Sequence, residues 1–314
     1  MHDQGSDHHD HEARSHSPGH SHAPKDFGLA FAVGMSLNIG IVVLEVIFGI
    51  MANSMALLAD AGHNASDVLG LLLAWGASAL VKRPPTRRYT YGLGASSILA
   101  ALGNAIFLLV ATGGIAWEAI ERFQNPQPVA GATVMIVAGI GTLINGFTAW
   151  LFVAGRRDDI NIRGAFLHMA GDAAISLGVV VAGAVTLRTD WFWLDPSISL
   201  VIAALIVWST WSLLKDSLAM AMHAVPPGIE IEKVRTALEG LPGVRRLHDL
   251  HVWPMSTTST ALTCHLVMPE GNPGDAFVMK AAEMLRDRFE IHHMTIQIEE
   301  NENCDCELKS DNAI

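Results

Sequence analysis

Residues 54–67 read SMALLADAGHNASD, placing Asp60, His63 and Asp67 inside an otherwise apolar stretch. From Phe27 to Val81 the only charged side chains are Glu45, Asp60 and Asp67. An ionisable side chain at mid-bilayer costs roughly 3 kcal/mol on insertion scales, so one that is kept there marks a functional site. The segment is too long for a single crossing, which takes about 20 apolar residues as a helix. Met51-Ala-Asn-Ser54 supplies the break, giving two spans. Further apolar runs lie at about 94–117, 129–154, 164–187 and 191–214. The expectation is a multi-pass α-helical membrane protein with six short-looped transmembrane helices.

Composition points the same way. The chain has 314 residues, 50% of them hydrophobic and 16% charged, where a soluble domain carries about 25% charged residues. The net charge of −11 comes without a concentrated basic face, which argues against a nucleic-acid partner. Cys264, Cys304 and Cys306 are too few for a disulfide framework and fit a reducing compartment. Basic residues crowd alternate loops: Lys82, Arg83, Arg87 and Arg88 in one, Arg156, Arg157 and Arg163 in another. The opposite loops offer only Arg122 and Arg188. The positive-inside bias therefore puts the basic loops in the cytoplasm and, with an even number of spans, both termini as well. Trp117, Trp191 and Trp193 near span ends suit an interfacial aromatic belt.

The chain divides into a tail (1–26), a transmembrane domain (27–214), a cytosolic domain (215–300) and a second tail (301–314). The first tail interleaves His2, His8, His9, His11, His16, His20 and His22 with Asp, Ser and Gly. It lacks the apolar core of a signal peptide and is expected to be disordered, gathering Zn²⁺ weakly at the cytosolic mouth. After Pro226-Pro227, residues 229–240 read as a helix, followed by two strand-like runs, an amphipathic helix at 275–289 and an alternating strand. That αββαβ order predicts a compact α+β domain.

The motif of span two recurs in span five, where His168-Met-Ala-Gly-Asp172 repeats the HxxxD of His63 and Asp67. Residues four apart share a helix face. Two facing helices thus bring together two imidazoles and two carboxylates, a set that suits tetrahedral Zn²⁺ and cancels its charge. The plainer alternative is a pair of interhelical hydrogen bonds that lock the bundle. Asp60 reads as structural or proton-handling, and Glu45, Asn38 and Asn145 as the lining of a polar cavity. A closed four-ligand site and the lack of an HExxH motif speak against a metalloenzyme.

Together SMALLADAGHNASD (54–67), the second HxxxD at 168–172, WLDPSIS (193–199) and HDLHVW (248–253) resemble the cation diffusion facilitator family. The likeness is strongest to its zinc-transporting branch, which includes bacterial zinc/cobalt/cadmium-resistance members. The resemblance covers about residues 27–300. It implies a homodimer, metallochaperone-like cytosolic domains, and Zn²⁺ export in exchange for protons by alternating access. The short loops and compact length point to a bacterial inner membrane, with an organelle membrane as the alternative. It also implies that His63, Asp67, His168 and Asp172 form the transport site. A cytosolic zinc site would draw on His251, His292 and Glu299, with His248 and His265 added in some members. Cys304 and Cys306 stand where some members carry a CxxC tail, and the CxC here departs from it. The loop between helices two and three holds neither His nor Asp, so no site is expected there. A membrane-embedded zinc sensor or scaffold, which binds metal without cycling, is the alternative reading.

Overall fold

The computed structural model describes residues 27–153 and 160–300; the N-terminal tail, Arg156, Arg157, Cys304 and Cys306 lie outside them. Six helices are long and apolar enough to cross a bilayer. They are α1 (Phe27–Met51), α2 (Met55–Val81), α3 (Ser96–Gln124), α4 (Gly131–Phe152), α5 (Ile160–Thr189) and α6 (Leu194–Ala221). Two of them run two turns past the expected spans. In α3 the helix continues past Trp117 through an i,i+4 pair, Arg122 Nε to Glu118 Oε1 at 2.8 Å. In α6 it continues past Lys215 and Asp216 to Ala221. Hydropathy marks where lipid ends, and none of these residues breaks a helix there.

The break between α1 and α2 is the most heavily fastened turn. Asn53 takes a left-handed conformation (φ 53°), and Ser54 caps α2 by accepting from Leu57 N at 3.2 Å. Asp195, at the start of α6, accepts from Met55 N at 2.7 Å and Ala56 N at 3.4 Å, and from the Ser54 hydroxyl. A carboxylate at a helix N-terminus satisfies orphan amides and complements the helix dipole. Arg122 donates to Asn53 O at 2.8 Å, and Ala130 N to Ala52 O at 3.1 Å. Residues from α3, from α6 and from the connection into α4 thus hold one corner shut.

Close packing at the same end joins α4 to α5. A Cβ on Gly131 would lie 2.8 Å from the Gly183 carbonyl oxygen, and one on Gly183 would lie 3.0 Å from Met135 N. Small residues let helix backbones approach where lipid supplies no hydrophobic drive. Leu57, Ala59, Val134, Ala138, Val179, Ile202 and Ile206 fill the interior around this contact. Large side chains such as Trp75, Phe107, Leu143 and Trp208 point outward, as a lipid surface requires.

The C-terminal domain follows the expected order: α7 (Ile231–Glu239), β1 (Arg246–Ser256), β2 (Ser259–Val267), α8 (Asp275–Phe289) and β3 (Ile291–Glu299). The sheet order is β1-β2-β3, with β1 antiparallel and β3 parallel to β2. The parallel pairing needs a crossover, and α8 provides it. Val234, Leu238, Leu262, Leu266, Leu285 and Ile291 form the core between helices and sheet. The tip of the β1–β2 hairpin rests against the start of α3, where Thr257 N donates to Ser97 Oγ at 3.0 Å.

Gly131→Ala is expected to lower the thermal midpoint of the purified protein, since overpacking a tight contact costs about 1–3 kcal/mol. Gly178→Ala, where nothing lies within 4 Å of the added methyl, is expected to leave it unchanged or raised. Thermal unfolding of both variants in the same detergent checks the contrast.

Candidate metal centres

Both HxxxD motifs fall in mid-helix, on faces that meet between α2 and α5. His63 Nε2 lies 3.1 Å from Asp172 Oδ1, and His168 Nε2 lies 3.2 Å from Asp67 Oδ2. The intrahelical partners are farther, at 3.9 Å for His63–Asp67 and 3.7 Å for His168–Asp172. Each imidazole therefore binds the carboxylate of the opposite helix more closely than its own. The two rings stand edge to face with centroids 6.2 Å apart. Ligand atoms of His63, Asp67 and Asp172 lie within 4.8 Å of one another, and His168 closes the square from the side.

Access to this square is one-sided. A cavity of about 500 Å³ is lined by Asn38, Ser66, Asp67, Asn104, Thr148 and His168, among others. Apart from Ser66 and Asp67 at the middle of α2, these residues come from the halves of their helices nearer the C-terminal domain. In keeping with that, the His168 side chain is 43% exposed and that of Asp172 only 3%. Asn38 thus lines this cavity as expected. On the far side of the square lie Glu45, Asp60, Asn64 and Ser176, each with no exposed surface. Glu45 accepts from Asn64 Nδ2 at 3.3 Å and Asp60 from Ser176 Oγ at 2.8 Å.

A second group lies in the C-terminal domain, where His248, His265 and Glu299 bring ligand atoms within 4.8 Å. Glu299 reaches His248 Nε2 at 3.2 Å through one oxygen and His265 Nδ1 at 2.8 Å through the other. Burial alone would raise the Glu299 carboxyl, but the hydrogen bonds from both histidines outweigh it and hold the group below the usual range. The β1 strand carries a bulge between His248 and His251, with Asp249 at φ 50°. Regular alternation would put those histidines on opposite faces. At the bulge Asp249 instead links His251 to His265 of β2, lying 2.8 Å from His251 Nε2 and 3.5 Å from His265 Nε2. His292 is exposed at the start of β3, outside this cluster. Its neighbour His293 packs edge-on against Tyr91, with centroids 5.4 Å apart. Asp249 is the member that the strand pattern concealed.

The model of the cation efflux transmembrane domain matches residues 31–221, and that of the cation efflux cytoplasmic domain matches residues 226–301. The chain belongs to the cation efflux, or cation diffusion facilitator, family. Zinc transporter ZitB of Escherichia coli (strain K12) is 38% identical over 91% of this chain and 92% of its own. The metal cation efflux system protein CzcD of Cupriavidus metallidurans is 34% identical over 90% of each chain. The cadmium, cobalt and zinc/H(+)-K(+) antiporter of Bacillus subtilis (strain 168) is 32% identical over 90% of this chain and 92% of its own. A solved structure described as the metal-bound C-terminal domain of the CzcD transporter covers 23% of this chain and 99% of that one. Its sequence identity is 35% and its TM-score 0.22. The two family models place the resemblance over residues 31–221 and 226–301, most of the chain. The chain is an integral membrane protein of a transporter family, and the named relatives are transporters rather than enzymes.

Cys264 sits in the domain core, where burial, with Asp249 nearby, pushes its thiol up to about 12. Iodoacetamide at pH 8 is therefore expected to spare Cys264 in the folded protein and label it on unfolding, because only the thiolate reacts. Peptide mass spectrometry of native and denatured samples reads the difference.

Proposed function

We propose that this chain exports Zn²⁺ from the cytosol in exchange for protons. The transport site is His63, Asp67, His168 and Asp172. The observation that carries the reading is the crossed pairing of the two HxxxD motifs, in which the Nε2 of each imidazole already faces a carboxylate on the other helix. Two neutral imidazoles and two carboxylates neutralise a divalent cation and match the donor preference of Zn²⁺. The same geometry accepts protons, since a protonated imidazole donates to the carboxylate it faces. Imidazole ordinarily titrates near pH 6.5, and a metal must displace those protons to bind. Metal and protons thus compete for one set of atoms, which is the physical requirement for exchange.

Alternating access follows from a site reached from one end while the other is fastened. In the present arrangement the cavity lies on the side of the C-terminal domain, and the basic loop 82–91 lies at that end too. The positive-inside bias makes it the cytosolic end of a bacterial inner-membrane protein, with both termini inside. The protein acts as a homodimer in this reading. The group of His248, His265 and Glu299, extended by Asp249 and His251, holds a regulatory zinc. The names of the relatives, which include a zinc transporter and a zinc/H(+)-K(+) antiporter, support zinc as cargo and protons as counter-ion.

Inside-out proteoliposomes with an acidic interior are expected to take up zinc, and Asp172→Ala is expected to reduce uptake to that of empty vesicles while the protein still elutes as the wild type does. Zinc bound but not taken up by the wild type would make the protein a sensor. Full uptake by Asp172→Ala would remove the tetrad from the transport path.

A further inference from the structure

Beyond the tetrad, on its fastened side, α1 and α2 bury two carboxyl groups together. Glu45 and Asp60 have no exposed surface, and the two side chains interact. Their hydrogen-bond donors are neutral, Asn64 to Glu45 and Ser176 to Asp60. Glu45 Oε1 and Asp60 Oδ1 have no hydrogen-bond partner among the described residues. The charged or titratable groups acting on the pair are Asp172 from α5 and His63 from α2. From α4 the residue facing Glu45 is Gly141, whose missing side chain leaves the slot: a Cβ there would lie 3.0 Å from Glu45 Oε1. Two carboxylates enclosed in a dry site and hydrogen-bonded only by neutral donors repel each other at close range, and sharing a proton removes the repulsion.

Resting on the antiport reading above, we infer that Glu45 and Asp60 carry one shared proton and release it when a divalent cation occupies the tetrad. They form a proton-carrying site separate from the metal ligands. Asp60 precedes His63 by one helical turn, about 5 Å along the axis. A cation bound at His63 therefore places positive charge close to the pair and favours its ionised form. Zinc arrives through the cavity and the acid O–H bond of the pair breaks. The electron pair stays on the carboxylate, and the proton leaves to the solvent of that same cavity. When zinc departs on the other side, the pair takes a proton from there, so the cycle moves one more proton than the tetrad alone supplies.

The test is the number of protons released when zinc binds to the purified full-length protein, measured by calorimetry in buffers of differing ionisation enthalpy. E45Q keeps the shape of a protonated glutamate and is expected to fold; D60N probes the same proton from the other helix. Each variant is expected to release about one proton fewer per zinc than the wild type, and the double variant no fewer than either single one, as a shared proton demands. Sites in the C-terminal domain contribute equally to all four proteins and cancel. Equal release from E45Q, D60N and the wild type would overturn the inference, as would additive losses in the double variant. If the antiport reading itself failed, wild-type vesicles would take up no zinc under a pH gradient. Failure of this inference alone would leave that uptake in place.

Discussion

Everything in the membrane domain answers to the cost of ionisable groups in a medium without water. Asp67 and Asp172 escape that cost because each faces an imidazole from the opposite helix. Asp195 escapes it by accepting from the amides at the start of α2. The arrangement therefore does two things at once. Each neutralised acid also ties one helix to another, so the pairs that make the site tolerable also set where α2, α5 and α6 lie.

Much of this was written plainly in the chain. Spacing of four residues announced both HxxxD faces, and hydropathy counted the spans. The strand and helix runs after Pro227 gave the small domain in its observed order. What stayed hidden were relations between distant residues. Local spacing makes His63 and Asp67 look like partners, whereas tertiary packing pairs each histidine across the helix seam instead. The Asp195 cap joins residues 140 positions apart, and no local pattern reveals such a distance. In β1 the sequence HDLH reads as an ordinary strand, but a single residue in the left-handed region turns Asp249 into the link between His251 and His265. A bulge is a backbone event, and period-two alternation carries no sign of it.

The two halves of the molecule handle their histidines differently. In the membrane, His63 and His168 each meet a carboxylate of the opposite helix, and the half-exposed His168 also faces the cavity. In the sheet, His248 and His265 share one glutamate at the end of β3, and all three side chains are largely buried. The first group is thus reachable from the cavity, whereas in the second an unpaired member would be left in the domain interior.

The glycine contact between α4 and α5 has a mechanical consequence. With Gly131 seated against Gly183, the two backbones lie too close to slide past each other without collision. That contact makes them stiff against each other, like one beam. Contacts between α2 and α5 are sparse by comparison, so relative displacement concentrates along that seam. The seam is where the two HxxxD motifs meet. The spacing of those two histidines and two aspartates is then a direct gauge of how one pair of helices stands against the other.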